Sequence, residues 1–122
     1  MTNPFQDQTK FMQACDQTVC EINATQFSLY KNLIEEEVQE LRDAKNQTEQ
    51  LDALVDILVV TIGAIHSMGA NGEGAWNEVM RTNFAKIDPI TGKVRKREDG
   101  KVLKPEGWTP PNLSKFIKWE KV

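Results

Sequence analysis

The chain has 122 residues, of which 39% are hydrophobic and 27% are charged, and its formal net charge is −3. These values are typical of one ordinary globular domain over residues 1–122, and the slight acidic excess argues against binding to a nucleic-acid polymer, which favours basic surfaces. We expect a cytoplasmic protein without a membrane role, because the sequence does not open on a basic region followed by an apolar run. In addition, the apolar run from Ile57 to Ile65 is too short to span a bilayer.

The first two thirds of the chain carry helical signals. Asn3-Pro4 predicts an N-cap followed by proline at the first helical position, and the helix should continue to about Val19. Further helices are predicted over about 25–45 and about 48–68. The polar Asn46-Gln47-Thr48 between them is long enough only for a turn, so these two helices should form an antiparallel hairpin.

The remaining third of the chain has mixed signals. A fourth helix is predicted over about 75–85, after a glycine-rich turn that ends the third helix. Residues 93–104 predict a small two-stranded hairpin, and residues 113–119 predict a last short helix. The predicted fold class is therefore all-α: a bundle of four to five helices over 4–86, followed by a basic hairpin and extended tail over 87–122.

Carboxylates interrupt the apolar patterns of the second and third helices. With about 100° per residue, Glu37 falls inside the apolar arc of the second helix and Glu40 lies at its rim. The third helix is apolar on nearly every side, as buried helices are, yet Glu49, Asp52 and Asp56 form a narrow acidic strip along it. An unpaired buried carboxylate is costly unless it is protonated, paired or bound to a metal. Two such strips on facing helices can share cations.

The predicted ligands are all carboxylates. Oxygen ligands without His or Cys suit Mg²⁺, or Mn²⁺, rather than zinc. Because proteins usually hold Mg²⁺ with a few carboxylates together with substrate phosphates, phosphate chemistry is the expected function.

Basic residues after the fourth helix could neutralise the charge of a triphosphate. For each of these residues, the alternative to substrate binding is a solvated surface position without a ligand. The candidates are Lys86, Lys96, Arg97, Lys101 and Lys104. Asn83 falls on the apolar face of the fourth helix, where its amide needs a partner such as a base edge or a phosphate. Trp108 could stack on a base, although an aromatic residue is more often part of a core.

An ordered series of motifs runs through the chain. Residues 36–41 have the pattern E-E-x-x-E-L, a second acidic helix follows, and residues 60–63 read Val-Thr-Ile-Gly. Residues 78–86 and 97–105 complete the series. In this combination, over about 33–113, the chain resembles the all-α nucleoside triphosphate pyrophosphohydrolase superfamily. It resembles the small MazG-like members and is also similar to their phage and integron-borne relatives.

The resemblance implies roles for four carboxylates and an activity. Glu37 and Glu40 would bind Mg²⁺, Glu36 belongs to the same motif, and Asp56 matches the aspartate of the second motif. The implied reaction is hydrolysis of a nucleoside triphosphate to the monophosphate and pyrophosphate. As a mechanistic hypothesis of our own, a metal-bound water attacks phosphorus, and Glu36 orients or deprotonates this water. Family members assemble as homodimers or homotetramers, with nucleotide pockets built partly from neighbouring chains.

One position departs from the family pattern. The glutamate expected three residues before Asp56 is Ala53. Asp52, one turn before Asp56, shares its face and is the favoured fourth ligand, while Glu49-Gln50-Leu51-Asp52 fits the motif in another register. The departure keeps open a non-catalytic helical module that binds nucleotide or a partner protein, with the acidic strips as intersubunit salt bridges. A relative acting on phosphoribosyl-ATP, which shares the acidic motifs, is the second alternative.

Overall fold

A computed structural model describes residues 2–117. Its helices are α1 (Pro4–Ala14), α2 (Ala24–Asp43), α3 (Gln47–Ser67) and α4 (Gly72–Phe84), and a short 3₁₀ turn follows at Ser114–Phe116. The all-α class is confirmed. The described residues group into two compact units, which we call the first unit (2–72 with 116–117) and the second unit (Glu73–Lys115).

Helix α1 begins where the sequence predicts and ends earlier. The side chain of Asn3 accepts a hydrogen bond from the backbone N–H of Gln6 at 2.9 Å, and Oε1 of Gln6 accepts one from the backbone N–H of Asn3. These two bonds make a capping box. The predicted continuation to Val19 is wrong. Asp16 and Cys20 have φ angles of 58° and 57°, and this left-handed backbone is incompatible with a continuing helix.

The predicted antiparallel hairpin is formed by α2 and α3. Asn23 and Asn46 cap the two helices by accepting hydrogen bonds from the backbone N–H groups of Gln26 and Glu49. Helix α3 packs against both α2 and α1. The core of the first unit consists of Met12, Tyr30, Val60 and Ala64, with partly buried apolar residues around them.

A close approach of α2 and α3 depends on Gly63. A Cβ atom on this residue would lie 2.3 Å from Cε1 of Tyr30, far inside van der Waals contact. Tyr30 cannot move aside easily, because its ring is 5% exposed and its hydroxyl donates a hydrogen bond to Oε1 of Gln17. Gly63 is therefore a packing residue in the hairpin.

We expect Gly63→Ala to lower the free energy of unfolding by about 2 kcal/mol, since overpacking a rigid core outweighs the gain in helix propensity. Urea denaturation measures this change. The same substitution in a Tyr30→Leu background should cost less, because the smaller side chain leaves room for the methyl group. An equal cost in both backgrounds would contradict the proposed contact.

His66 and Ser67 join α3 to the rest of the first unit. His66 is 3% exposed, and its Nε2 lies 3.0 Å from the carbonyl oxygen of Phe5 and 3.2 Å from Oγ1 of Thr9, both on α1. The Gln26 side chain of α2 donates to Oγ of the fully buried Ser67 at 2.8 Å. These polar contacts satisfy groups that burial would otherwise leave unpaired.

The first half of α3 is not buried on all sides, contrary to the prediction. Leu51, Leu54, Val55 and Leu58 are 64%, 48%, 48% and 62% exposed, and their spacing places them in one stripe. By length and composition alone α3 could also cross a membrane, although it is the helix on which α1 and α2 pack. The stripe is the largest run of exposed apolar side chains on any described helix, and in a single chain it faces solvent.

The second unit is built on α4. This helix begins at Gly72 rather than near residue 75, so it includes two glycines that the sequence placed in the preceding turn. Glu78 accepts hydrogen bonds from the Arg81 side chain at 2.8 Å and from the backbone N–H of Asn112 at 2.8 Å. The tail is thereby attached to α4.

The predicted hairpin of the tail is reduced to isolated pairing. An antiparallel bridge joins Lys96 and Val102, with a backbone bond from Leu103 to Arg95 at 2.7 Å, and no strand forms in the described part of the tail. The turn uses Gly100 at a φ angle of 88°, which favours glycine. Of the described part of the predicted last helix, residues 113–117, only Ser114–Phe116 is helical, and residues 118 and 119 lie outside the described residues.

Candidate metal site

Three carboxylates meet where α2 and α3 face each other. Glu37 and Glu40 come from successive turns of α2, and Asp56 comes from α3. Each offers one oxygen atom, and these atoms all lie within 4.8 Å of one another. The antiparallel hairpin creates this cluster, because its short turn sets the middle of α2 opposite the first half of α3.

Glu37 is the member with the most perturbed environment. Its Oε2 atom is buried without a hydrogen-bond partner in the described structure. Burial, followed by the hydrogen bond and charge of Glu40 and the charges of Asp56 and Asp52, raises the pKa of Glu37 to about 7. An oxygen that is buried, unpaired and surrounded by like charges is a position at which a cation would be stabilising.

Asp56 shows the same effect more weakly. Burial raises its pKa, and the charges of Asp52 and Glu40 add to the shift. Within the described residues, no Lys or Arg forms an ion pair with any carboxylate of the cluster. The donor set therefore fits a hard divalent cation such as Mg²⁺, which prefers carboxylate oxygens.

Asp52, the favoured fourth ligand, lies outside the three-carboxylate cluster. It contributes charge to Glu37 and Asp56, but its side chain is exposed. The reason is angular: the core-facing direction of α3 passes through Ala53 and Val60, and Asp52 lies farther from it than Asp56 does. Ala53, at 2% exposure, occupies the core-facing position where the family pattern has a glutamate.

Glu49, which begins the alternative register of the second motif, has a structural contact in the turn before α3. Glu49 is in the first turn of α3, and its Oε2 accepts a hydrogen bond from the backbone N–H of Lys45 at 2.7 Å. This bond closes the turn between α2 and α3. Glu36, the remaining member of the first motif, is exposed next to Glu37 on α2.

We expect the unfolding free energy of the metal-free protein to fall as the pH rises from about 4.5 to about 7. The folded-state pKa of Glu37 is about 7 against an ordinary value of 4.5, so between these values the folded chain holds a proton that the unfolded chain has lost. This stabilisation is complete below the ordinary value and is lost as the pH rises through 7. Thermal unfolding in EDTA measures it, and Glu37→Gln should flatten the dependence. An identical slope in the variant would contradict the assignment.

The predicted substrate contacts lie in the second unit, and the structure distinguishes among them. Lys86 and Lys104 place their Nζ atoms 5.3 Å and 4.9 Å from the centre of the Trp108 ring. Asn83 is only partly buried, and its Oδ1 accepts a hydrogen bond from Lys86 at 3.1 Å. The amide oxygen of Asn83 therefore has a local partner, the ammonium group of Lys86 just after the end of α4.

Two other predicted contacts do not join this group. Arg97 pairs with Asp99 at 2.5 Å, next to the turn of the tail, and Lys101 is exposed. Their role in substrate binding stays a prediction. Arg95, which the sequence did not single out, lines the same cleft as Lys86 and Lys104. Arg95 lies inside the basic run of residues 93–97, and nothing in the sequence distinguishes it from its basic neighbours there.

Comparison with known proteins agrees with the geometry of the first unit. The sequence model of the family described as phosphoribosyl-ATP pyrophosphohydrolase matches residues 8–83, which is more than half of the chain and includes every carboxylate of the cluster. None of the curated proteins compared with the chain matches it. The family indicates pyrophosphohydrolase activity on a nucleotide, that is, hydrolysis of an acid anhydride. The chain belongs to the phosphoribosyl-ATP pyrophosphohydrolase family, within the MazG-like all-α nucleoside triphosphate pyrophosphohydrolase superfamily.

Proposed function

We propose that the protein hydrolyses nucleoside or deoxynucleoside triphosphates to the monophosphate and pyrophosphate in a Mg²⁺-dependent reaction that Mn²⁺ can also support. The observation that carries the proposal is the cluster of Glu37, Glu40 and Asp56, with its unpaired buried oxygen, inside the segment that matches the family. A cluster of carboxylates repels a triphosphate by itself. The site can bind a triphosphate when a divalent cation links the carboxylates to the phosphates.

In the proposed mechanism, Glu37, Glu40 and Asp56 would hold the cation. When bound, Mg²⁺ would neutralise phosphate oxygens and make water a better nucleophile near neutral pH. The water oxygen attacks the α-phosphorus, the bond from this phosphorus to the bridging oxygen breaks, and pyrophosphate leaves with that oxygen. Glu36, exposed beside the cluster, would orient the water and accept its proton.

We also propose that the chain acts as a homodimer or homotetramer. The stripe formed by Leu51, Leu54, Val55 and Leu58 is large and apolar for a surface that remains in water. It lies on α3, the helix that also carries Asp56, so assembly through the stripe would pack a second copy against that helix. Sedimentation velocity tests the assembly, and Leu58→Lys should dissociate it.

Phosphoribosyl-ATP is the second candidate substrate, because it appears in the description of the matching family. It contains the same type of α–β phosphate anhydride, so the carboxylate cluster does not discriminate between the two substrates. Discrimination would depend on contacts to the base and to the second ribose.

The experiment is a product analysis. Purified protein is incubated with a panel of NTPs, dNTPs and phosphoribosyl-ATP, with Mg²⁺, with Mn²⁺ or with EDTA, and monophosphate, pyrophosphate and orthophosphate are quantified separately. Monophosphate and pyrophosphate formed in equal amounts only with the metal support the proposal, and the relative rates identify the substrate. Release of orthophosphate instead would contradict the proposed reaction, and no turnover with either metal would contradict it and favour a non-catalytic helical module.

A further inference from the structure

The second unit has a cleft whose charged lining is cationic. Its volume is about 220 Å³, and it lies between the end of α4 and the bridged segment of the tail. Lys86, Arg95 and Lys104 supply three positive charges, and Asp88 is the only acidic residue among the lining residues. The remaining walls are backbone and apolar side chains, including Ile87 and Leu103.

The two lysines of the cleft contact the same aromatic ring. The Nζ atoms of Lys86 and Lys104 both lie over the indole ring of Trp108, at 5.3 Å and 4.9 Å from its centre. The indole is itself fixed, because its Nε1–H donates a hydrogen bond to the carbonyl oxygen of Thr82 at 2.7 Å. Lys86 also donates to Oδ1 of Asn83 at 3.1 Å. Trp108 and Asn83 are thus positioning residues for the two ammonium groups.

The positive charge of the cleft is not neutralised locally. In the part of the chain that the structure describes, Lys86, Arg95 and Lys104 form no ion pair. The carboxylate of Asp88 is already engaged, because its Oδ1 accepts hydrogen bonds from the backbone N–H groups of Ile90 and Thr91 at 2.8 Å and 3.4 Å. Three cations around one cleft repel each other, and a polyanion bound there would remove this repulsion.

We propose that this cleft binds an oligophosphate anion, either the phosphate chain of a nucleotide or free pyrophosphate, independently of the metal site. The family match ends at residue 83, whereas the cleft is built from residues 85–105, so the site is not supplied by the matched segment. Three cationic residues lining one cleft suit linked phosphate groups better than a single carboxylate or monophosphate. Only the choice of phosphate as the anion rests on the proposed function.

The test is calorimetric titration of the full chain in EDTA at fixed ionic strength, with pyrophosphate, ATP, AMP and adenosine as probes. Pyrophosphate and ATP should bind, AMP should bind more weakly, and adenosine should not bind. Arg95→Gln and Lys104→Gln should each raise the dissociation constant for pyrophosphate about tenfold, since each removes a charge-assisted contact. Lys93→Gln, the same charge change at an exposed residue outside the cleft, should change it less than about twofold.

The probes and variants also distinguish the two sources of phosphate and the two proposals. ATP binding tighter than pyrophosphate assigns the cleft to a nucleotide, and equal or tighter binding of pyrophosphate assigns it to the free anion. Because EDTA removes divalent cations, Glu37→Gln should retain pyrophosphate binding even if it abolishes turnover. Absence of binding by both pyrophosphate and ATP, or equal weakening by Lys93→Gln and Arg95→Gln, would overturn the proposed binding role of the cleft and leave the metal-site proposal unaffected.

Discussion

Glu37→Gln is expected to lower kcat/KM for the triphosphate substrate by about a hundredfold or more, because it removes a carboxylate that holds the cation. The same substitution should not destabilise the metal-free protein at pH values above about 7. With a pKa near 7, Glu37 is costly to ionise in the folded state, and glutamine resembles its protonated form in shape and charge. Activity with Mg²⁺ and thermal unfolding in EDTA measure the two effects separately.

Glu35→Gln is the matched control for this prediction. Glu35 lies on α2, two residues from Glu37, but its side chain is exposed and is not part of the cluster. We expect its activity and metal affinity to remain close to those of the unmodified chain. A Glu37→Gln protein that keeps its activity, or that loses stability in EDTA as a broken salt bridge would, contradicts the metal-ligand role.

Asp56→Asn is the second substitution with a large expected effect, again about a hundredfold on kcat/KM, whereas Asp52→Asn should cost only about threefold. Asp56 contributes an oxygen to the cluster, while Asp52 acts on it through charge alone. Activity measured as a function of Mg²⁺ concentration should show a weaker apparent affinity for Mg²⁺ in both variants, with the larger change in Asp56→Asn.

The two aspartates control for each other, because they are separated by one turn of the same helix. Both substitutions remove one negative charge and leave the side-chain volume nearly unchanged. If Asp52→Asn proves as damaging as Asp56→Asn, then Asp52 is a direct ligand and the three-carboxylate description of the site is wrong. If neither variant affects activity, then the assignment of a metal ligand to α3 is wrong.

Much of the first unit could be predicted from the sequence because its signals are local. The hairpin of α2 and α3 follows from apolar periodicity and a short polar turn capped by Asn46. The candidate ligands Glu37 and Asp56 follow from carboxylates placed where a helix should be apolar. Neither inference needs long-range contacts, and the family match is consistent with both.

Only the tertiary structure decided which carboxylates share a site and which cations share a cleft. Helical spacing places Asp52, Asp56 and Glu49 in one strip, but the direction of the core against α2 selects Asp56, and the turn uses Glu49 as a hydrogen-bond acceptor. In the same way, Arg95 joins Lys86 and Lys104 only because the tail folds back on itself. Periodicity determines which residues lie on one face of a helix, whereas the partners of that face depend on packing between segments distant in sequence.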